Sequence, residues 1–89
     1  MNEKEVYLAA LSYFGIESQT TMVFEEMAEL QKELCKALRG TPSLKNIAEE
    51  IADVEIMLEQ MKEYYSLHDF VRDSKEYKIK RLEKILKEI

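Results

Sequence analysis

Helix breakers are so scarce in this chain that it can fold only into a few long helices with short joints. Two glycines and one proline interrupt 89 residues, and they fall at two places, Gly15 and Gly40 with Pro42. Between these points the apolar residues recur three and four apart rather than on alternate positions, the period of an amphipathic helix and not of a strand. The expected fold is an all-α, four-helix-bundle-like protomer, one domain over residues 1–89, with two central antiparallel helices.

Local signals place the boundaries. Asn2 followed by Glu5 reads as a capping box that starts the first helix, and Gly15 offers a left-handed stop. A second helix runs from about Ser18 or Gln19 to Arg39, where Gly40 ends it and Pro42 prevents continuation. Its apolar stripe is Val23, Met27, Leu30, Leu34 and Leu38. The third opens near Ser43 or at Asn46, which forms a capping box with Glu49, and reaches about Ser66. Ile47, Ile51, Val54, Leu58, Met61 and Tyr65 make its stripe. The fourth follows Asp69 as N-cap, carries a looser stripe through Val71, Leu82, Ile85 and Ile89, and gathers basic residues in its later turns.

Composition narrows the function. A formal net charge of −5 argues against non-specific nucleic-acid binding, which needs a surplus of Lys and Arg on one face. No stretch approaches the roughly 20 apolar residues of a membrane span, and the opening MNEKEVYLAAL lacks a signal-peptide pattern. A cytoplasmic protein with no membrane partner is expected. The lone Cys35 cannot form an internal disulfide and should pack as a small apolar residue inside the second helix. A chain this short buries only a modest core by itself, so self-association into a homo-oligomer is expected.

The chemistry is carried by carboxylates. Glu26 with Glu29, and Glu50 with Asp53, repeat the spacing acid-x-x-acid on the two central helices. At about 100° per residue, each pair projects from one side of its helix and borders the apolar stripe at the same angle. If the helices pack antiparallel through those stripes, the two acidic edges face one cavity. Four converging carboxylates repel one another unless a positive charge lies between them, and a hard divalent cation, Mg²⁺ or Mn²⁺, suits an all-oxygen donor set.

Competing chemistries lack their residues. A di-iron bundle needs Glu-x-x-His on two helices, whereas the only histidine, His68, follows Tyr65 at that spacing and sits at a helix joint. Zinc lacks Cys and His ligands. The serines and Cys35 have no acid–base set beside them, and Gly15 and Gly40 are isolated stops rather than a phosphate-cradling loop. Phosphate binding would fall to the cation and to Lys36, Arg39, Lys78 and Arg81. Glu33, one turn past Glu29, is expected to pair with Lys36 or Lys32 on its own helix, with an outer-shell or water-positioning carboxylate as the functional alternative. Tyr13 and Phe14 are expected in the core, with stacking on a base as the functional alternative.

The string Glu25-Glu26-Met27-Ala28-Glu29, with Glu50-Ile51-Ala52-Asp53 twenty residues further on, resembles the EExxE…ExxD pattern of the MazG-like all-α nucleoside triphosphate pyrophosphohydrolases. The short, single-domain members are the most similar. The likeness extends through Lys36, Arg39-Gly40 and EEIADVEIMLEQM to Lys78 and Arg81-Leu82, and so covers most of the chain from Ser18 onward. It implies Mg²⁺ held by Glu26, Glu29, Glu50 and Asp53, and hydrolysis of a nucleoside triphosphate between the α and β phosphates to give the monophosphate and pyrophosphate. It also implies a dimer or tetramer whose nucleotide cleft is completed by a neighbour's helices. Glu25 is the candidate for orienting the attacking water. The phosphoribosyl-ATP pyrophosphohydrolases are similar in length and acids, but generally carry a His one turn after the Asp, where this chain has Met57. A non-catalytic helical interaction module is the reading from another class.

Overall fold

In a computed structural model describing residues 1–89, the chain is all-α, with four helices and no strand. They are α1 (Glu3–Phe14), α2 (Ile16–Leu38), α3 (Leu44–Tyr65) and α4 (His68–Lys87). No helix is long and apolar enough to cross a membrane.

The caps explain most of the boundaries. Asn2 Oδ1 accepts from the Glu5 amide at 2.8 Å and opens α1. Gly15, at φ +88°, turns the chain in a region that side chains with a Cβ avoid, so α2 begins at once with Ile16 instead of at Ser18 or Gln19. Gly40, at φ +89°, follows the end of α2. Ser43 caps α3 by accepting from the Asn46 amide at 3.3 Å. Asn46 therefore lies inside the first turn and does not cap. Ser66 closes α3 in the left-handed conformation, and His68 bridges the joint to Glu63 at 2.8 Å. α4 starts one residue before Asp69, which pairs with Arg72 at 3.3 Å instead of capping.

α2 and α3 pack more closely than any other pair of helices. Their register is visible in side-chain contacts. Gln19 Nε2 donates to Gln60 Oε1 at 2.7 Å, and Thr20 Oγ1 meets Met61 Sδ at 3.9 Å. Seven residues later on α2 and seven earlier on α3, Glu26 stands beside Asp53. Advancing along one helix retreats along the other, so the pair is antiparallel.

The contact face differs from the expected stripes. The row of α2 turned inward runs through Gln19, Val23, Glu26, Leu30, Glu33 and Ala37, and that of α3 through Ile47, Glu50, Val54, Met57 and Met61. On a helical wheel the contact face is rotated from the apolar stripe toward the acids by about 60° on α2 and about 40° on α3. Met27, Leu34 and Leu38 of α2, and Ile51, Leu58 and Tyr65 of α3, are consequently exposed, Leu38 to 91%. Because the helices are antiparallel and both rotate in the same sense, these apolar edges lie on one side of the pair.

The protomer's own core is thin. Val23 at 8% and Met57 at 6% exposure are its only buried apolar residues, beside the buried polar Gln19, Glu33 and Gln60. α1 packs on α3 and α2; α4 touches α3 alone and buries no residue. Cys35 is exposed rather than packed, because it lies away from the inward row. Tyr13 and Phe14 are exposed too, edge to face with ring centres 4.9 Å apart, at the end of α1 that Gly15 turns away from the bundle.

The Gln19–Gln60 bond is the polar clamp of this register. Gln60→Leu should cost about 1–3 kcal/mol by stranding the Gln19 amide, whereas Gln19→Leu with Gln60→Leu should recover most of it. Urea unfolding at one fixed protein concentration measures both, and an undiminished loss in the double variant would refute the clamp.

Candidate metal centre

Three carboxylates from two helices meet at one point. Glu26 of α2 and Glu50 of α3 are half-buried, Asp53 of α3 is exposed, and each offers an oxygen within 4.8 Å of the others. The rotation of the two helices brings them there. Glu26 and Glu50 belong to the inward rows, so helix packing pushes their charges together instead of leaving them on outer edges.

The electrostatics record the strain of that arrangement. Burial lifts the Glu26 carboxyl above the ordinary glutamate range, helped by repulsion from Asp53 and Glu50, a hydrogen bond with Asp53 that needs a shared proton, and repulsion from Glu29. Burial lifts Glu50 as well, followed by repulsion from Asp53, Glu29, Glu33 and Glu49. Glu50 Oε2 is buried with no hydrogen-bond partner. No lysine or arginine forms an ion pair with any of the three.

These residues fit a hard divalent cation. The donors are all carboxylate oxygens, one is buried and unpartnered, and no His or Cys joins them to favour a softer metal. Glu29 lies outside the close trio and is exposed, but its charge is felt at both Glu26 and Glu50. Glu25 is exposed next to Glu26 on the solvent side, as Glu49 is next to Glu50.

The basic residues are more dispersed. Lys36 is half-buried and its Nζ lies 3.2 Å from Glu33 Oε2, the intrahelical pair expected from spacing. Arg39 ends α2, exposed and without an ion pair, and Lys78 and Arg81 are likewise exposed and unpaired on α4. Nothing within one protomer ties the two α4 residues to the acids. A concavity of about 730 Å³ lies elsewhere, between α1, α3 and α4 beside Tyr7, Ile56, Glu59 and Val71. It contains none of the trio.

Two features were hidden from pattern reading. Gln19 and Glu33 sit on the same three-and-four row as Val23, Glu26 and Leu30, yet their polarity disguises that row as a surface face. The usable signal was the row itself, 19, 23, 26, 30, 33 and 37, matched by 47, 50, 54, 57 and 61.

Glu26 and Glu50 have folded-state values above their unfolded ones, so the folded protein binds extra protons. Its stability should therefore fall as pH rises through those values and be regained on acidification toward the ordinary glutamate value of about 4.3. Mg²⁺ should act in the opposite sense, raising the melting temperature near pH 7 and losing its effect in acid as the ligands protonate. Glu50→Gln should flatten both responses. Differential scanning fluorimetry across pH, with Mg²⁺ or with EDTA, reads all three; a wild-type Mg²⁺ response identical to that of Glu50→Gln would exclude this centre.

Comparison with protein families, with curated proteins and with solved structures finds no match to this chain.

Proposed function

We propose that this protein is a Mg²⁺-dependent nucleoside triphosphate pyrophosphohydrolase of the MazG-like kind, converting a (d)NTP to the monophosphate and pyrophosphate. The observation that carries the reading is the convergence of Glu26, Glu50 and Asp53 from two helices, with a buried Glu50 oxygen that has no donor. Surface acids have no reason to gather against their own repulsion, whereas a cation site requires it. Glu29 completes the ligand set suggested by the EExxE…ExxD resemblance, with Mn²⁺ as a substitute for Mg²⁺.

When bound, the ion neutralises phosphate charge and polarises the α-phosphoryl group. The chain's own residues do the rest. Glu25, exposed beside Glu26, would orient a water toward the α-phosphorus. The water oxygen forms the new P–O bond, the bond to the bridging oxygen of the β phosphate breaks, pyrophosphate leaves, and the water's proton passes to solvent. Lys36 and Arg39 at the end of α2 receive phosphate oxygens, and Lys78 and Arg81 do so from a neighbouring copy.

That neighbour is part of the proposal. The apolar edges of α2 and α3 lie on one side, and α4 carries exposed Leu82, Ile85 and Leu86, more than an isolated small protein leaves in water. A homo-oligomer, dimer or tetramer, would cover them. Met57 supports this reading over a phosphoribosyl-ATP hydrolase, since it is buried in the α2–α3 seam where that family carries a histidine.

Pyrophosphate release from canonical and modified triphosphates with Mg²⁺ tests the activity. Turnover is expected with at least one of them, and Glu50→Gln should lower it by about 100-fold or more while circular dichroism stays unchanged. Silence across the panel favours the non-catalytic interaction module. Light scattering after size exclusion should give a mass of at least twice the 10.5 kDa chain; a 10.5 kDa species at micromolar concentration removes the oligomer.

A further inference from the structure

Glu33 is the most deeply buried carboxylate of the chain, at 6% exposure, and the proposed reaction does not use it. It lies two turns beyond Glu26 along the same face of α2. Its Oε2 accepts from Lys36 Nζ at 3.2 Å, and its Oε1 is buried with no partner. The charge of Glu33 is felt at Glu50, so the ion pair stands beside the acidic group and not at a remote edge.

Stability does not account for this residue. A lysine–glutamate pair three apart on a helix contributes little, and burying the carboxylate adds a desolvation cost that one lysine on one oxygen does not remove. Gln or Leu at the position would serve α2 as well. What a buried carboxylate does supply is a fixed anchor for a long, flexible side chain. Because Glu33 precedes Lys36 by three residues, the ion pair draws the lysine back along α2 in the direction of Glu26. An ammonium has three donors, and Glu33 takes one, which leaves two for an incoming anion. Arg39, Lys78 and Arg81 are exposed and without an ion pair, so Lys36 is the one basic residue of the four that the protomer ties to the acidic side.

We propose that Glu33 is a positioning residue, whose buried carboxylate holds Lys36 so that the ammonium meets the phosphate oxygens of a ligand bound beside it. This inference rests on the reading of Glu26, Glu50 and Asp53 as a cation site that receives phosphate, and adds the residue that orients its lysine. Anchoring differs in sign from a mere charge effect. Removing a carboxylate near a bound anion strengthens binding by relieving repulsion, whereas removing the anchor of Lys36 weakens it.

Pyrophosphate with Mg²⁺ in excess is the probe, and its Kd is read by calorimetry on the full chain. Glu33→Leu should weaken binding by about 10-fold, as should Lys36→Met. Adding Glu33→Leu to Lys36→Met should cause no further loss, because the two side chains act as one unit. In triphosphate turnover Glu33→Leu should raise KM and leave kcat within about twofold. Unchanged or tighter pyrophosphate binding by Glu33→Leu overturns the anchor and leaves the cation site intact, as does a Lys36→Met variant that binds like wild type. No binding by wild type removes the phosphate site and this inference with it. The expected losses in a protein that turns over no triphosphate uphold the anchor and remove the hydrolysis alone. Should Glu33→Leu fail to fold, Glu33→Gln keeps an oxygen for Lys36 without the charge and should weaken binding by about threefold; unchanged affinity there overturns the proposal.

Discussion

The α2–α3 seam is the constraint on which the other features depend, because it is built from a row that is only half apolar. Val23 and Met57 supply its buried hydrocarbon, while Gln19, Gln60 and Glu33 supply buried polarity. A purely apolar seam tolerates sliding by a turn, since one Leu replaces another at little cost. A buried amide pair does not, because a slip of one turn leaves both amides without partners. The same bond that fixes the register therefore fixes which acids meet, seven residues away on each helix.

Turning the acids inward turns hydrocarbon outward. A helix has one circumference, and moving its contact face by about 40–60° exposes the edge that carries Met27, Leu34 and Leu38, with the matching exposure of Ile51, Leu58 and Tyr65 on α3. The clustered acids and the exposed apolar edges are thus two consequences of one rotation. A second copy on the apolar side would restore the burial that a chain of this size cannot achieve alone.

Helix number, joints and antiparallel order were legible in the sequence because they depend on Gly15, Gly40, Pro42 and the 3.6 period, all local signals. The starts of α2 and α4 were less so. Gly15 ends one helix and opens the next in a single residue, and α4 begins at His68 without a side-chain cap. The acids of the trio were legible from their matched spacing. Their depth was not, since a hydrophobic stripe locates a contact face only when packing follows hydropathy, and here Gln19–Gln60 and the acids displace it. Cys35 shows the same limit, an apolar residue left outside because the contact face lies elsewhere.

Folding and ion binding are coupled in such an arrangement. Raised Glu26 and Glu50 carboxyls mean that the fold prefers them protonated when no cation is present, so forming the seam and ionising the acids oppose each other near neutral pH. The proposed divalent cation would reverse the sign, because it would bind only the ionised acids and only with both helices in register. The polar clamp would then have a role beyond stability: by holding the register, Gln19 and Gln60 would let the acids converge without an ordering step when an ion binds, so that part of the cost of forming the proposed cation site would be met in folding the helix pair.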